Sequence, residues 1–321
     1  MLDSYGRRID YLRISLTDKC NLRCSYCLPH GVKLVPMEDL LTLEEIAAIV
    51  RCGAGLGIDR IRLTGGEPLV RRGLPELMAM LQGIEGLKEV AMTTNGLLLR
   101  QYLPMLKERG LKSVNISLDT LDAEIYRQIT GYDGLQEVLA AIDAALSAGL
   151  KVKVNAVLMA GINADSYKDL AGLAKAQPLD VRFIELMPIG EGRHFKGVSN
   201  EALLQDLERD FGRPERDDRI HGNGPARYYR IPGFQGSIGF ISAMHRKFCG
   251  SCNRIRLTAM GELKPCLCYD TAVDLRTLLR TRGEAALPEA IRQAVARKPE
   301  AHCFETADHI TEQRRMASIG G

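Results

Sequence analysis

The residues best suited to inorganic chemistry are the nine cysteines of this 321-residue chain. Cys20, Cys24 and Cys27 are spaced C-x3-C-x2-C. Cys249, Cys252, Cys266 and Cys268 follow as C-x2-C-x13-C-x-C, and Cys52 and Cys303 stand alone. An odd count forbids complete pairing within one chain. Residues 1–8 lack the apolar core of a secretory signal, so a reducing cytoplasm is the expected address, where structural disulfides are disfavoured. Metal or cluster ligation is the better reading. A [4Fe–4S] cluster usually takes four thiolates, so three close ones leave an iron open to a substrate or cofactor. A zinc site completed by His30 is the alternative for the first group. The second group reads equally as a four-thiolate zinc ribbon or as a three-cysteine cluster with Cys268 uninvolved. In a strand, Cys266 and Cys268 share a face, so geometry leaves Cys268 in play. Cys52 and Cys303 read as packed small hydrophobes.

Those cysteines need a scaffold. Period-two alternation predicts a strand over 11–17, and further strands are expected over 60–64, 89–94, 113–118, 152–158 and 181–187. Helices fall between them; the first opens on a Thr42/Glu45 capping box. Six βα units demand parallel strands with right-handed crossovers. No glycine-rich dinucleotide fingerprint follows the first strand, so a partial (β/α)6 barrel of TIM type is preferred over a doubly wound sheet, with its chemistry at the C-terminal strand ends. A helix over 199–211 and a Gly- and Pro-bearing linker over 213–226 lead to short strands over 228–231 and 237–243 and a hairpin of 254–258 with 262–264. The expected division is residues 1–222 as the barrel and residues 223–321 as a smaller α+β domain. Hydrophobic residues make up 45% and charged residues 26%, which excludes a disordered or collagen-like chain. No apolar run approaches the ~18 residues of a membrane span. An excess of 43 − 40 = +3 charges is too small to imply nucleic-acid binding.

The first cysteine motif, with the aromatic Tyr26 before its last cysteine, resembles the radical S-adenosylmethionine (SAM) superfamily. Thr64-Gly65-Gly66-Glu67-Pro68, at the end of the second strand, resembles that superfamily's second motif. The run from Phe248 to Thr258, with Gly261 and Cys266-Leu267, resembles the GTP 3′,8-cyclase family within it. So do Arg13-Ile14-Ser15, Thr93-Thr94-Asn95-Gly96, Arg182-Phe183-Ile184-Glu185 and the closing Ile319-Gly320-Gly321, and the resemblance covers essentially the whole length.

The resemblance implies a lyase that opens molybdenum cofactor biosynthesis by turning GTP into 3′,8-cyclo-7,8-dihydro-GTP. A deoxyadenosyl radical made from SAM takes the C3′ hydrogen, the carbon radical closes on guanine C8, and an electron and a proton complete the product. It implies two [4Fe–4S] clusters, on Cys20, Cys24 and Cys27 and on Cys249, Cys252 and Cys266, the second facing guanine. Cys268 is a departure from the family's pattern. SAM contacts fall on Tyr26, Gly66, Ser117 and Met187. GTP contacts fall on Arg13, Arg62, Thr93, Lys153, Arg254, Ile255 and Arg256, with catalytic roles for Arg254, Arg256 and the Gly320-Gly321 tail. Cations on strands that should point inward fit a triphosphate, since a buried cation without a partner is costly. The implied partners are GTP, an electron donor and a cyclic pyranopterin monophosphate synthase that takes the product, with no nucleic acid or membrane, for a monomer or homodimer. The competing readings are a peptide-modifying radical SAM enzyme with an auxiliary cluster and a zinc-stabilised nucleic-acid-binding module.

Overall fold

The computed structural model describes residues 1–30 and 35–319. Six strands run in chain order, side by side and parallel: β1 (Tyr11–Ser15), β2 (Arg60–Thr64), β3 (Glu89–Thr94), β4 (Ser113–Ser117), β5 (Lys151–Val157) and β6 (Asp180–Ile184). Sequential order without reversal is that of a barrel and not of a doubly wound sheet. Between them run α1 (Leu43–Gly55), α2 (Leu74–Gln82), α3 (Leu99–Glu108), α4 (Ala123–Thr130), α5 (Leu135–Ser147) and α6 (Tyr167–Ala176). The Thr42/Glu45 capping box opens α1 as expected.

The barrel stays incomplete, and later strands extend it at both edges. Past α7 (Asn200–Phe211), β7 (Glu215–Asp217), β8 (Arg227–Arg230) and β9 (Ile238–Ile241) join the β6 side. There β9 lies parallel to β6. On the other side β10 (Arg254–Leu257) lies parallel to β1, and β11 (Glu262–Lys264) and β12 (Val273–Asp274) follow antiparallel. The result is one sheet of 12 strands. Helices α8 (Leu275–Arg282) and α9 (Leu287–Ala296) pack near α1. The stretch 213–226, read as a linker, contains β7; Glu215-Arg216-Asp217 carries charge but pairs with Tyr228–Arg230 at the sheet edge. The sixth strand also stops at Ile184, three residues short of its expected end.

Side-chain alternation explains both faces of the barrel. Leu12, Ile14, Ile61, Leu63, Val114, Ile116, Val152, Val154, Val181 and Phe183 turn outward and are buried under the helices. The alternate residues turn inward and are polar: Arg13, Arg62, Thr93, Asn115, Lys153 and Arg182 all line the interior. A barrel of this size is ordinarily filled by apolar side chains. Here the filling is replaced by charge, so the interior is a cavity.

Candidate active site

A cavity of about 660 Å³ runs through the barrel interior, and both cysteine groups face it. The loop carrying Cys20, Cys24 and Cys27 follows β1, at the C-terminal ends of the strands. Main-chain bonds do most of the holding, with Leu22 N–H also donating to Cys20 Sγ at 3.4 Å. Arg23 N–H donates to Thr130 O at 2.8 Å and Ser25 N–H to Ile129 O at 2.9 Å, both at the end of α4. Cys27 N–H and Leu28 N–H both donate to Cys24 O at 3.0 Å. Burial raises the Cys20 thiol, raises the Cys24 thiol well above its ordinary value, and pushes Cys27 up to about 12. Without a metal these groups stay protonated, so cluster loading must release protons. Among the described residues, no three Cys, His, Asp or Glu side chains converge on a single-ion site. A cube of four irons asks for something else: each cysteine takes a different iron, and the sulfurs stand apart. His30 is exposed beside Gly131 and lies outside the cavity wall.

The Gly65-Gly66 turn lies against this loop. Gly66 N–H donates to Thr17 O at 2.7 Å, and Glu67 N–H donates to Lys19 O at 2.8 Å. A Cβ on Gly66 would sit 2.3 Å from Lys19 O, and one on Gly65, whose φ is +149°, 2.5 Å from Thr17 O. Only glycine fits this approach of two backbones. We therefore expect Gly66→Ala to prise the turn from the cysteine loop. A backbone clash of that kind costs on the order of 2–4 kcal/mol. The checks are a lowered melting temperature and loss of SAM binding in calorimetry; an unchanged SAM affinity would refute the cradle.

Two buried carboxylates brace the rim. Glu67 accepts from Leu69 N–H at 3.0 Å, Thr94 Oγ1 at 2.8 Å and Asn95 N–H at 2.7 Å, tying the end of β2 to the end of β3. Burial raises its carboxyl to about 7 despite those bonds. Asp119 accepts from Tyr26 Oη at 2.7 Å and Val157 N–H at 2.8 Å, fastening the cysteine loop to β5. Burial raises it to about 6. Tyr26, Gly66, Ser117 and Met187, the expected SAM contacts, all line the cavity.

The second group sits across the cavity, where β10 and the segment after β11 meet the last helix. Cys249, Cys252 and Cys266 are in the wall, and Cys268 is not. Cys268 is fully buried in a separate small apolar cluster with Leu267, Phe304 and Ile310. Cys303 packs against that cluster, and Cys52 against the main core. Cys249 Sγ accepts from His302 N–H at 3.4 Å. Lys298 Nζ donates to Arg254 O at 2.8 Å and Pro265 O at 2.7 Å, so one ammonium pins the backbones beside Cys252 and Cys266. Burial would raise the Cys252 thiol, but Arg254 and Lys298 outweigh it and bring it down to about 6. Arg7 reaches in from the N-terminal segment, donating to Cys249 O and Glu300 O at 2.8 Å.

Between the two groups lies a cationic floor. Strand register sets Arg13 between Arg256 and Arg62. Neighbouring strands are ~4.8 Å apart, so three guanidinium groups stand abreast. Burial, then Arg256, lowers Arg13 well below the usual arginine range; burial, then Arg254, brings Arg256 to about 10. Burial and Arg182 bring Lys153 to about 8. Each shift says that the protonated form is held at a cost, which an anion would relieve. In the same wall Asn115 Oδ1 is buried with no hydrogen-bond partner among the described residues. Thr93 and Arg254 line the cavity, whereas Ile255 is fully buried on the other face of β10 and only its main chain can reach a ligand. Gly320 and Gly321 lie outside the described residues. Ile319 is buried in the cluster that Met187 and Cys266 pack against, and the Ala317 N–H bonds the Cys27 thiol. The C-terminal segment thus touches the first cysteine group and shares an apolar cluster with Cys266.

Two residues of this wall, Arg182 and Lys298, are given no role by the sequence, although Arg182 belongs to one of the runs that carry the resemblance. Arg182 faces the cavity and donates to Asn155 Oδ1 at 2.8 Å through Nε and 2.5 Å through Nη2. Its inward position on a strand could have revealed it, as for Arg13. Lys298, in a polar stretch after α9, offered no such signal.

A parallel half-barrel with three cysteines after its first strand and a Gly-Gly cradle after its second defines a radical SAM protein. Residues 14–174 match the model of the Radical SAM superfamily, and residues 179–304 match that of Molybdenum Cofactor Synthesis C. A GTP 3′,8-cyclase of Clostridium perfringens (strain SM101 / Type A) is 45% identical over 323 residues, covering 100% of both chains. The GTP 3′,8-cyclase of Moorella thermoacetica is 47% identical over 328 residues at the same coverage. Among solved structures, Streptococcus suis SuiB bound to S-adenosylmethionine superposes with a TM-score of 0.65 at 13% identity, covering 96% of this chain and 76% of that one. At that identity the likeness is one of fold. The chain belongs to the GTP 3′,8-cyclase family of the radical SAM superfamily. SAM and a [4Fe–4S] cluster come with that membership, and the Cys20, Cys24, Cys27 loop has the donor chemistry for the cluster. No helix among the described residues is long and apolar enough to cross a membrane.

Proposed function

We propose that the chain carries out its family's GTP cyclisation, the first step of molybdenum cofactor biosynthesis, between two three-cysteine iron–sulfur sites that share one cavity. The observation that carries this reading is that both thiol triplets and a row of half-buried arginines face the same space. When bound, a cluster and SAM supply one-electron cleavage of the sulfonium bond and so an adenosyl radical. The chain's own contribution is position and exclusion of water. Gly66 offers close backbone approach to the methionine end of SAM, and Tyr26, Ser117 and Met187 flank the adenosine. Arg13, Arg62, Lys153, Arg254 and Arg256 hold the triphosphate, with Thr93 and the Ile255 main chain against the nucleoside. Cys249, Cys252 and Cys266 hold the second cluster, leaving its open iron to guanine. In this reading residues 1–222 form the SAM half and residues 223–321 bring the second cluster. The enzyme works in the cytoplasm, as a monomer or homodimer, takes electrons from a separate donor and passes its product to a cyclic pyranopterin monophosphate synthase.

Anaerobic reconstitution followed by an iron count and a product assay tests this. About eight irons per chain and a cyclised GTP product are expected. About four irons, with zinc bound at the second triplet, would overturn the two-cluster reading.

The C-terminal glycines and Lys153 give two further tests. Arg254, Arg256 and the Gly320-Gly321 tail are assigned to the cyclisation itself. The tail follows Ala317, whose N–H bonds the Cys27 thiol, and the buried Ile319, and residues without side chains can enter places closed to others. Deleting both glycines should abolish cyclisation with SAM cleavage and iron content retained; full cyclisation by the truncated chain would refute the role. Lys153, brought to about 8 by burial and Arg182, is charged below that pH and neutral above it. The KM for GTP should therefore climb as pH rises from 7 to 9.5. Lys153→Arg, which keeps its charge, should flatten the climb. An equal climb in the variant would assign it elsewhere.

A further inference from the structure

Two cysteines outside the cavity wall have found each other. Cys268 Sγ and Cys303 Sγ are 3.2 Å apart although 35 residues separate them in the chain. Cys303 N–H donates to Cys268 Sγ at 3.4 Å, and the Cys303 thiol donates to His309 O at 3.1 Å. Cys268 is fully buried and Cys303 half-buried, so the pair has one accessible and one protected sulfur. Cys268 faces the apolar cluster of Phe304, Ile310 and Ile319, whereas Cys266, two residues earlier, lies in the cavity wall.

We infer that Cys268 and Cys303 form a redox-active dithiol, a site of reversible disulfide formation distinct from the three thiols assigned to the second cluster. The oxidant class is a low-molecular-weight disulfide. Cys303, the accessible partner, loses its proton and attacks one sulfur of the small disulfide. The small disulfide's bond breaks, one small thiol leaves, and a mixed disulfide forms on Cys303. Cys268 then attacks Cys303 Sγ and expels the second small thiol, which carries away the proton that Cys268 gives up. Two protein thiols are oxidised and one small disulfide is reduced to two thiols. Reaching the bonded separation of ~2.05 Å needs a shift of about 1.1 Å. Both cysteines lie outside regular elements, on segments able to make it. The neighbouring His302 N–H bonds Cys249 Sγ, so the new bond would fasten the segment that supports a cluster ligand while leaving that ligand free.

The test uses the anaerobically reconstituted protein, oxidised glutathione as probe, alkylation of remaining thiols, and peptide mapping by mass spectrometry. The expected product is a Cys268–Cys303 cross-link with a loss of about 2 Da, reversed by dithiothreitol, and unchanged cluster absorbance. In Cys268→Ala the resolving thiol is gone, and Cys303 should retain a glutathione of about 305 Da. In Cys303→Ala, Cys268 should stay unmodified. Mapping of the unaltered protein decides the matter by itself: both thiols remaining reduced, or either one linked to Cys249, Cys252 or Cys266, overturns the inference. The iron count that tests the two-cluster reading is a separate measurement, so the two can fail independently.

Discussion

In Cys24→Ala, SAM cleavage and GTP cyclisation both stop while the fold persists. The main chain of Cys24 is what organises the loop, through the two N–H groups that donate to its carbonyl, and alanine keeps that carbonyl. The loop's attachment to α4 through Arg23 and Ser25 is also main-chain. The half-buried thiol sits beside Cys27, with its pKa raised by desolvation and by that neighbour. Removing it deletes a proposed cluster ligand and little else. Two thiolates do not retain a four-iron cube, so iron should fall from about eight per chain to about four. Turnover should fall at least ~10⁶-fold, the low end of enzymic acceleration, since the other residues position but cannot generate a radical. The melting temperature of the metal-free protein should stay within a few degrees of the parent. Retained SAM cleavage in a variant that has lost iron would show that the first triplet is not the radical source.

The contrast between Cys24 and Cys268 shows where the sequence was legible. A C-x3-C-x2-C run declares itself because its three members are local and share a loop. The second group is local only in part: Cys249 and Cys252 sit on one turn, but whether Cys266 or Cys268 completes them depends on which side of an irregular segment faces inward. Spacing cannot decide that. The structure puts Cys266 in the cavity wall and Cys268 in an apolar cluster with Cys303, which favours Cys266 in the proposed set. The barrel was legible for the same reason as the first motif. Alternating strands such as Tyr11–Ser15 and Arg60–Thr64 carry their two faces in period two, and their inward arginines could be read off directly. What stayed hidden was long-range pairing. Nothing in Arg254-Ile255-Arg256-Leu257 says that it lies parallel to β1, or that β9 extends the opposite side beside β6. Glu215-Arg216-Asp217 read as linker because charge is normally a solvated feature, and its strand exists only through its partner.

That hidden pairing sets up the second large effect, at Arg256. By placing β10 against β1, the fold puts Arg256 in line with Arg13 and Arg62 inside the cavity. Burial, then Arg254, holds its guanidinium down to about 10, so its charge is carried at a cost while GTP is absent. A triphosphate held there, as proposed, would reverse the sign of that cost. Arginine can meet phosphate through two parallel N–H bonds, each charge-assisted bond contributing about 1.5–3 kcal/mol. Arg256→Ala should therefore lower kcat/KM for GTP by about 10- to 150-fold for one such bond lost, and more for a bidentate pair. The free protein should not suffer in proportion. Taking one cation from a crowded row relieves repulsion, which offsets the packing lost with the side chain. Its melting temperature should stay within a few degrees of the parent, while the rise that GTP induces should shrink sharply. Arg256→Lys keeps the charge but loses the fork, so it should recover only part of the loss. SAM cleavage without GTP should be unchanged in both variants, because Arg256 stands on β10 beside the second triplet and away from the Gly65-Gly66 cradle. If Arg256→Ala instead lowered the free protein's melting temperature as much as it weakened GTP binding, the guanidinium would be a structural group and the triphosphate would have to lie elsewhere in the cavity.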